Sequence, residues 1–334
     1  SLAKPELRVL TIRDSNCHGL DGPTLGNEAI AGSKNRYISF LLNVGASKHS
    51  EGDGGAFGYG RSITYRISRC MLIFVYTRTM NQSGSLESRL IASMLSDHFQ
   101  HGADVYTGRH WWGTVDDDDL GCRPIVGTEA DELAVLLGVQ PYGPDERGTA
   151  ISIVDPIIED PRALMAFVSD AVLWNMWPKM IPNEVGITPM RFSVILDGHA
   201  MPMRDPATTF PVSHFCESLR DLRLGKRGGI SLGRPSPTGA VVHKIEALRP
   251  KMDIGLLSLR RFPKPAAHVE WAQIEDHETG DFYSSCPIDG DPHHVAVMRM
   301  PELVVDYFEY HESPDDKLSW CGVFRADEIG RAHV

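Results

Sequence analysis

A glycine-rich run at residues 54–62 (GGAFGYGRS) has the residue types and spacing of a ligand-binding loop. Its four glycines in seven residues leave out Cβ atoms where a backbone must turn tightly or approach a ligand. Residues 63–69 can continue as a helix, and 71–76 (MLIFVY) have the pattern of a buried strand. A glycine loop that opens a helix presents unpaired amides and the positive end of the helix dipole, which suits a phosphate group.

Three interpretations compete for this run. Gly55 to Ser62 nearly matches the P-loop pattern, but Arg61 replaces the lysine, and the polar run 46–53 stands where a strand should lead in. The glycines are spaced G-x-x-G-x-G, which is the reverse of the dinucleotide-binding fingerprint. The third interpretation is a flexible surface loop, and glycine content alone does not decide between it and a ligand loop.

Two other segments carry candidate residues. Residues 7–12 (LRVLTI) are predicted to form a strand that leads to Asp14, and glycines follow at 19 and 22. An aspartate at a strand end is common at ligand sites of α/β folds, but Asp and Gly also favour ordinary turns. Downstream, Thr149 begins the apolar run 149–154, where a β-branched residue is also expected from strand propensity alone. The order of these features along the chain links them: aspartate turn, glycine loop, Gly-Thr strand.

This arrangement, with Ser47 and Lys48 ahead of the glycine run, resembles the GHKL family. These are the Bergerat-fold ATPases of gyrase B, MutL, the MORC proteins, histidine kinases and the large heat-shock chaperones. The resemblance implies an α/β protein: a two-layer sandwich of a mixed sheet with helices on one face, followed by a transducer-like α/β domain. It also implies that ATP and Mg²⁺ are the cofactors.

The resemblance assigns a role to each matching residue. Asp14 would accept a hydrogen bond from the adenine amino group, Gly19 would be a glycine of the aspartate box, and Thr149 would lie close to both aspartate and nucleotide. Ser47 and Lys48 would close over the site. The phosphates would be held by the loop residues Gly55, Phe57, Gly58, Tyr59, Gly60, Arg61 and Ser62.

Two features depart from the family pattern. Four residues separate Asp14 from Gly19, where the family usually has three. The family's first motif, a helix with a glutamate that activates water and an asparagine that binds Mg²⁺, is missing, since only residues 1–6 precede the first strand. We therefore expect an ATP-binding domain at 1–185 that lacks its N-terminal helix. No catalytic residue and no metal-ligating residue can be named.

The second half of the chain has a different pattern. Strands are predicted at 191–198, 241–245, 254–259, 294–300, 303–308 and 320–325, which indicates a second domain of the α/β or α+β class. The resemblance implies that this domain, at 186–334, is a transducer-like α/β domain, either whole or incomplete. A helix is predicted between the two halves, at 161–176. Transducer domains often send a lysine to the terminal phosphate. Lys244 and Lys251 are candidates, with an ordinary surface lysine as the alternative for each.

Composition limits the partners. The net charge of −11 argues against broad nonspecific binding to nucleic acid, although Arg220, Arg223, Lys226 and Arg227 form a local basic cluster. The six cysteines are scattered without a C-x-x-C pair, which favours reduced thiols over a zinc site or disulfides. No apolar run approaches the roughly 18 residues of a membrane span, so we expect a cytoplasmic protein without a membrane partner.

The sequence therefore favours slow ATP hydrolysis that drives lid closure and changes of assembly in a larger machine. ATP is the expected ligand, and a homodimer through the ATP-binding domain is the expected assembly, with other protein partners possible. Two alternatives stay open. One is a non-hydrolysing scaffold or interaction module that keeps the fold, and the other is an ATPase that acts on nucleic acid through the basic cluster.

Overall fold

The computed structural model describes residues 7–33, 35–43, 60–115, 121–229, 231–235, 239–249, 251–264, 274–275, 282–283, 286–288, 291–299, 301–311, 313 and 315–326. The chain divides into two compact units, 1–157 and 158–334.

The first unit contains eight described strands and two described α-helices. The strands are β1 (Val9–Arg13), β2 (Leu72–Met80), β3 (Leu86–Leu95), β4 (Phe99–His101), β5 (Asp104–Tyr106), β6 (Arg109–Trp112), β7 (Ile125–Val126) and β8 (Gly148–Val154). The helices are α1 (Gly60–Arg66) and α2 (Gly127–Leu136), with shorter helical segments at Gly26–Glu28 and Ile38–Leu42. The strands and helices predicted around 7–12, 63–69, 71–76 and 149–154 correspond to β1, α1, β2 and β8.

The main sheet of this unit has the order β1-β8-β2-β3-β6, with β7 also paired to β3. All of its described pairings are antiparallel. Helix α1 and the segment at 38–42 pack on one face, in a core of Leu20, Tyr37, Leu41, Tyr65, Ile73, Val75, Ile91 and Ile153. Helix α2 packs on the other face, in a core of Tyr76, Leu90, Ala130, Ala134, Val139, Tyr142 and Ala150.

This sheet differs from the expected mixed sheet with helices on one face. Its described pairings are antiparallel, and helices lie on both faces. The reason is the side-chain pattern of the central strands, since β2 points Val75 to one face and Tyr76 to the other, each 1% exposed. Because successive side chains of a strand point to opposite faces, two large apolar neighbours need a covering layer on each side.

The second unit begins with α3 (Pro161–Met180) and also contains α4 (Val212–Lys226). Its strands are β9 (Ile195–Leu196), β10 (His199–Ala200), β11 (Ala240–Leu248), β12 (Lys251–Pro263), β13 (Ile274–Glu275), β14 (Phe282–Tyr283), β15 (His294–Met298), β16 (Val304–Glu309) and β17 (Leu318–Ala326). Five of them form a mixed sheet of order β11-β12-β17-β15-β16, in which β15 and β17 are parallel. The predicted strand at 191–198 is reduced to the two residues of β9.

Helix α3 explains where the two units divide. Asp160 caps its N-terminus by accepting hydrogen bonds from the amides of Arg162 and Ala163 at 2.8 and 3.0 Å. Its buried residues Trp174 and Trp177 share a core with α4 and the second sheet. Because this helix belongs to the second core, the compact units divide after residue 157, earlier than the domain boundary expected at 185.

A buried ion cluster joins the elements of the second unit. Glu302 accepts hydrogen bonds from Arg223 on α4 at 2.6 Å and from Arg325 on β17 at 2.8 Å. Burial raises the pKa of Glu302, but the hydrogen bonds and charges of the two arginines outweigh it and hold the pKa below its usual value. Arg223 is only 4% exposed, and Arg227 pairs with Glu184 at 2.9 Å. Arg223 is therefore structural and is not presented to a nucleic acid.

Candidate functional site

The aspartate turn and the Gly-Thr strand meet at the end of the first sheet. Strands β1 and β8 pair antiparallel up to Arg13 opposite Ala150. One step further, the amide of Asp14 donates to the carbonyl of Thr149 at 2.9 Å. The amide of Thr149 in turn donates to the Asp14 carboxylate oxygen Oδ1 at 2.7 Å. Two residues that the sequence separates by 135 positions are thus held side by side.

A third residue, Thr77 on β2, belongs to this site. It lies opposite Thr149 in the register of β2 and β8. By strand alternation, Asp14, Thr77 and Thr149 point to the face of the sheet on which α1 packs. The candidate site therefore continues the row of side chains that forms the α1 core.

The hydroxyl groups of the two threonines are ordered by their neighbours. Thr77 Oγ1 donates to the carbonyl of Gly148 at 2.7 Å and accepts from the amide of Leu20 at 2.9 Å. Thr149 Oγ1 lies 3.2 Å from Thr77 Oγ1. A hydroxyl has one hydrogen, and that of Thr77 is used on Gly148, so Thr149 must be the donor in this contact. The Thr149 oxygen then keeps its lone pairs as hydrogen-bond acceptors.

One of the two carboxylate oxygens of Asp14 accepts hydrogen bonds from its neighbours. Its Oδ1 accepts from the Thr149 amide and from the Cys17 thiol, at 2.7 and 2.8 Å. Burial raises the pKa of Cys17 to about 11, helped by the hydrogen bond to Asp14, so this sulfur stays protonated and donates. The second oxygen, Oδ2, accepts no hydrogen bond from the described residues.

Two glycines allow the loop from residue 14 to residue 20 to lie this close to the strands. Gly19 has a φ of +66°, and a Cβ there would lie 2.4 Å from the carbonyl oxygen of Arg78. A Cβ on Gly148 would lie 2.2 Å from the carbonyl oxygen of Asp14. That same oxygen accepts a hydrogen bond from the Tyr142 hydroxyl at 2.8 Å. The loop is therefore fixed by backbone contact with β2 and β8, and neither glycine can carry a side chain.

Sequence reasoning found Asp14 and Thr149 but missed Thr77, Cys17 and Tyr142. The spacing of Ile73, Val75 and Thr77 does place the threonine on the α1 face of β2. That β8 lies beside β2 follows from the order of the strands in the sheet, and no local sequence pattern indicates this order.

The phosphate side of the predicted site is only partly within the described residues. The backbone of Gly60 and Arg61 forms the first turn of α1, and Ser62 follows on the same helix. The far end of this segment is fixed, since Ser68 Oγ donates to the carbonyl of Val154 at 2.6 Å. Ser47, Lys48, Gly55, Phe57, Gly58 and Tyr59 lie outside the described residues, as do the four aspartates at 116–119.

Two of the cavities formed by the described residues of the first unit lie near the sheet of the candidate site but do not include the site itself. One of about 860 Å³ includes Leu25, Arg109 and Trp111 in its lining, and one of about 750 Å³ includes Arg89 and Arg123. Asp14 and Thr149 line neither. Asp14 is exposed and Thr149 is 8% exposed. Among the described residues, the Asp14–Thr149 pair therefore lies outside both of these cavities.

Three further features bear on a site or a partner: the two candidate lysines, metal ligands and membrane-spanning helices. Lys244 ion-pairs with Glu246 at 2.8 Å and with Asp253 at 2.7 Å, while Lys251 is exposed at the start of β12. Within the described ranges, no group of three or more His, Cys, Asp or Glu side chains is arranged to hold a metal ion. No helix in this part of the chain has both the length and the hydropathy needed to span a bilayer.

No protein-family model matches the chain, and no curated protein is significantly similar to it in sequence.

Proposed function

We propose that this chain is an ATP-binding module of the GHKL type, with a transducer-like second domain. The observation that carries the proposal is the pair of acceptors at the end of the first sheet. Asp14 Oδ2 and Thr149 Oγ1 both offer lone pairs, while the donors around them are used within the site. An adenine amino group carries two hydrogens and no acceptor, so it complements such a pair.

The same arrangement discriminates between nucleobases. Guanine places a carbonyl oxygen where adenine has its amino group, and that oxygen would face two acceptors without a hydrogen between them. Leaving polar groups unpaired in this way is what gives hydrogen-bonding sites their strong selectivity. The site is thus suited to adenine nucleotides over guanine nucleotides.

In the proposed cycle the chain binds ATP with Mg²⁺, and residues 55–62 hold the phosphates through backbone amides and the start of α1. Slow hydrolysis to ADP and phosphate would then reverse lid closure by Ser47 and Lys48 and the associated change of assembly, expected to be a homodimer. The general base and the ligand of the metal are expected from the family resemblance alone. The resemblance supports turnover, and the acceptor pair supports binding.

The test is the substitution Asp14→Asn, with ATP and GTP affinities measured by calorimetry on the whole chain. The asparagine can keep an oxygen toward the Thr149 amide and put its NH₂ group in place of Oδ2. An adenine amino group would then meet a donor, and we expect ATP binding to weaken about 10- to 100-fold, the worth of one hydrogen bond to a charged group. GTP binding should weaken less or improve.

Asp145→Asn is the matched control, because Asp145 is an exposed aspartate of the same unit and lies outside this network. It should leave both affinities unchanged. Equal ATP affinity of wild type and Asp14→Asn would refute the adenine site. ATP binding without any release of phosphate would instead support the non-hydrolysing scaffold.

A further inference from the structure

The sheet of the second unit has two different faces. Helices α3 and α4 cover one face, where Ala296, Met298 and Val323 are buried in the core. The opposite face carries apolar and aromatic side chains around an open groove of about 990 Å³. An apolar sheet face normally lies against another layer of structure, and a large exposed patch of this kind marks an interaction site.

The register of the strands shows how the groove is built. One row of facing residues crosses all five strands: Val241, Leu259, Gly322, Val295 and Phe308. Its central residue is a glycine, and a Cβ there would lie 2.7 Å from a Leu259 methyl group and 3.3 Å from a Val295 methyl group. The row is therefore lowest at its centre and forms a floor that crosses the strands.

The neighbouring rows form the walls of this groove. One wall contains Arg261, Trp320 and Tyr310, and the other contains His243, Leu257, Phe324 and Val297. Five strands spaced by about 4.8 Å give a floor roughly 19 Å long. An α-helix rises about 1.5 Å per residue, so a helix of roughly 13 residues matches this length.

The groove is charged at one end. Arg261 on β12 stands at the end away from β16. A histidine lines each end, His243 on β11 and His311 just after β16, so Arg261 makes the difference in charge. Among the described residues that line the groove, none is Asp or Glu, and the lining residue Arg260 is ion-paired with carboxylates of α4. Asp306 lies on the same face at β16, outside the lining. In a chain of net charge −11, this basic end is a local exception.

We propose that this groove binds an amphipathic helix of a partner protein, with the apolar stripe of the helix on the floor and its C-terminal end at Arg261. The C-terminal end of a helix carries about half a negative charge, which complements the basic end. Helix-in-groove binding of this kind uses apolar anchors at positions i, i+3, i+4 and i+7.

The shape of the groove favours a helix over two other occupants, a second copy of the chain and a fatty-acid chain. A second copy of the chain would set groove against groove and leave the volume of both unfilled, which close packing disfavours. A fatty-acid chain would stay half in water, since Phe308 and Tyr310 are 49% and 58% exposed and the groove is open on one side. A helix keeps its polar face in the solvent and fills the groove with the other.

The experiment selects binders from a library of random 16-residue peptides displayed on phage, with the whole chain as target. We expect enriched sequences with apolar residues at i, i+3, i+4 and i+7. Their affinity should fall at least about tenfold on Arg261→Glu and on Phe308→Ser, as is usual for the anchors of an interface. A photo-reactive group at the C-terminus of a selected peptide should cross-link to β11 or β12, and one at the N-terminus to β16.

Arg249→Glu is the matched control, because it makes the same charge change at an exposed position between β11 and β12. It should leave peptide affinity unchanged. The proposal is overturned if no sequence is enriched, if the enriched peptides lack a helical period, or if Arg261→Glu binds them as well as wild type does. It is also overturned if sedimentation shows a dimer that Arg261→Glu dissociates, or if dodecanoate binds in the groove more tightly than every selected peptide. Should Phe308→Ser fail to fold, the exposed Arg261→Glu carries the test alone.

Discussion

At the scale of single residues, the hydroxyl of Thr77 orders the candidate site, although no sequence motif includes this residue. It is 1% exposed, and its one hydroxyl contacts Gly148, Leu20 and Thr149. Because this hydroxyl donates to Gly148, the lone pairs of Thr149 Oγ1 are kept as acceptors. Because the Thr77 hydroxyl accepts a hydrogen bond from the Leu20 amide, it also holds the loop after β1 against the sheet.

Replacement of this hydroxyl by a methyl group, in Thr77→Val, should destabilise the chain by about 2 kcal/mol. The Leu20 amide would be left buried without an acceptor, and an unmade buried hydrogen bond costs about 1–3 kcal/mol. Urea unfolding measures the loss. Thr77→Ser, which keeps the hydroxyl, is the control and should lose less; equal stability of Thr77→Val and wild type would contradict the network.

The Cys17 thiol should report on the Asp14 carboxylate. With a pKa of about 11 in the folded chain, it should be alkylated by iodoacetamide slowly at pH 8 and faster as the pH rises toward 11. Asp14→Asn removes a negative charge and so should lower the pKa and speed the reaction at pH 9. Site-resolved mass spectrometry gives the rate at Cys17, and an unchanged rate would show that the thiol does not contact the carboxylate.

At the scale of elements, the site depends on how closely the loop after β1 lies on β8. Gly148→Ala would place a Cβ 2.2 Å from the Asp14 carbonyl oxygen and push the two strands apart. We expect a loss of about 1–3 kcal/mol of stability, as for other overpacked positions, together with weaker ATP binding. Calorimetric melting with and without ATP measures both effects.

Gly143→Ala is the control for that variant. Its new Cβ would come no closer than 3.7 Å to any neighbour, the nearest being the Glu146 side chain. We expect little change in melting temperature or ATP binding. If both alanine variants behaved alike, close contact between the loop and β8 would not be the cause.

At the scale of the whole molecule, the apolar clusters fall within one unit or the other. Two lie in residues 1–157 and the third, around Trp177 and Phe215, lies in 158–334. Residues 158–334, expressed alone, should therefore show a cooperative thermal transition by circular dichroism. A transition without cooperativity would mean that the second core needs the first unit.

The ion cluster around Glu302 should make the stability of the second unit depend on pH. Its folded pKa lies below the ordinary value of 4.5, so the contribution is present above pH 4.5 and is lost as the pH falls through the folded pKa. Glu302→Gln leaves Arg223 buried without its counter-charge, which should cost about 3 kcal/mol at pH 7. Denaturation between pH 3 and pH 7 should show a flatter pH dependence for this variant than for wild type.

Much of the local structure was readable from the sequence. Local sequence patterns predicted β1, β2, β8, α1 and α3, and the family resemblance predicted that Asp14 and Thr149 lie together. The core to which α3 belongs could not be predicted, because an apolar stripe on a helix does not specify the sheet on which it packs. The covering of both faces of the first sheet and the burial of Arg223 were likewise missed, since each depends on residues distant in sequence.

Local sequence patterns were enough to predict several of the elements and the chemical types at the site, because strand and helix periods and turn residues act over a few neighbours. The three-dimensional structure was needed to show that Thr77 lies beside Thr149 and that Cys17 donates to Asp14. It was also needed to show that no described element of the second unit covers one apolar face of its sheet. Those features follow from strand order and register. These are set by which surfaces can be buried together across the whole chain, and no short stretch of sequence contains that information.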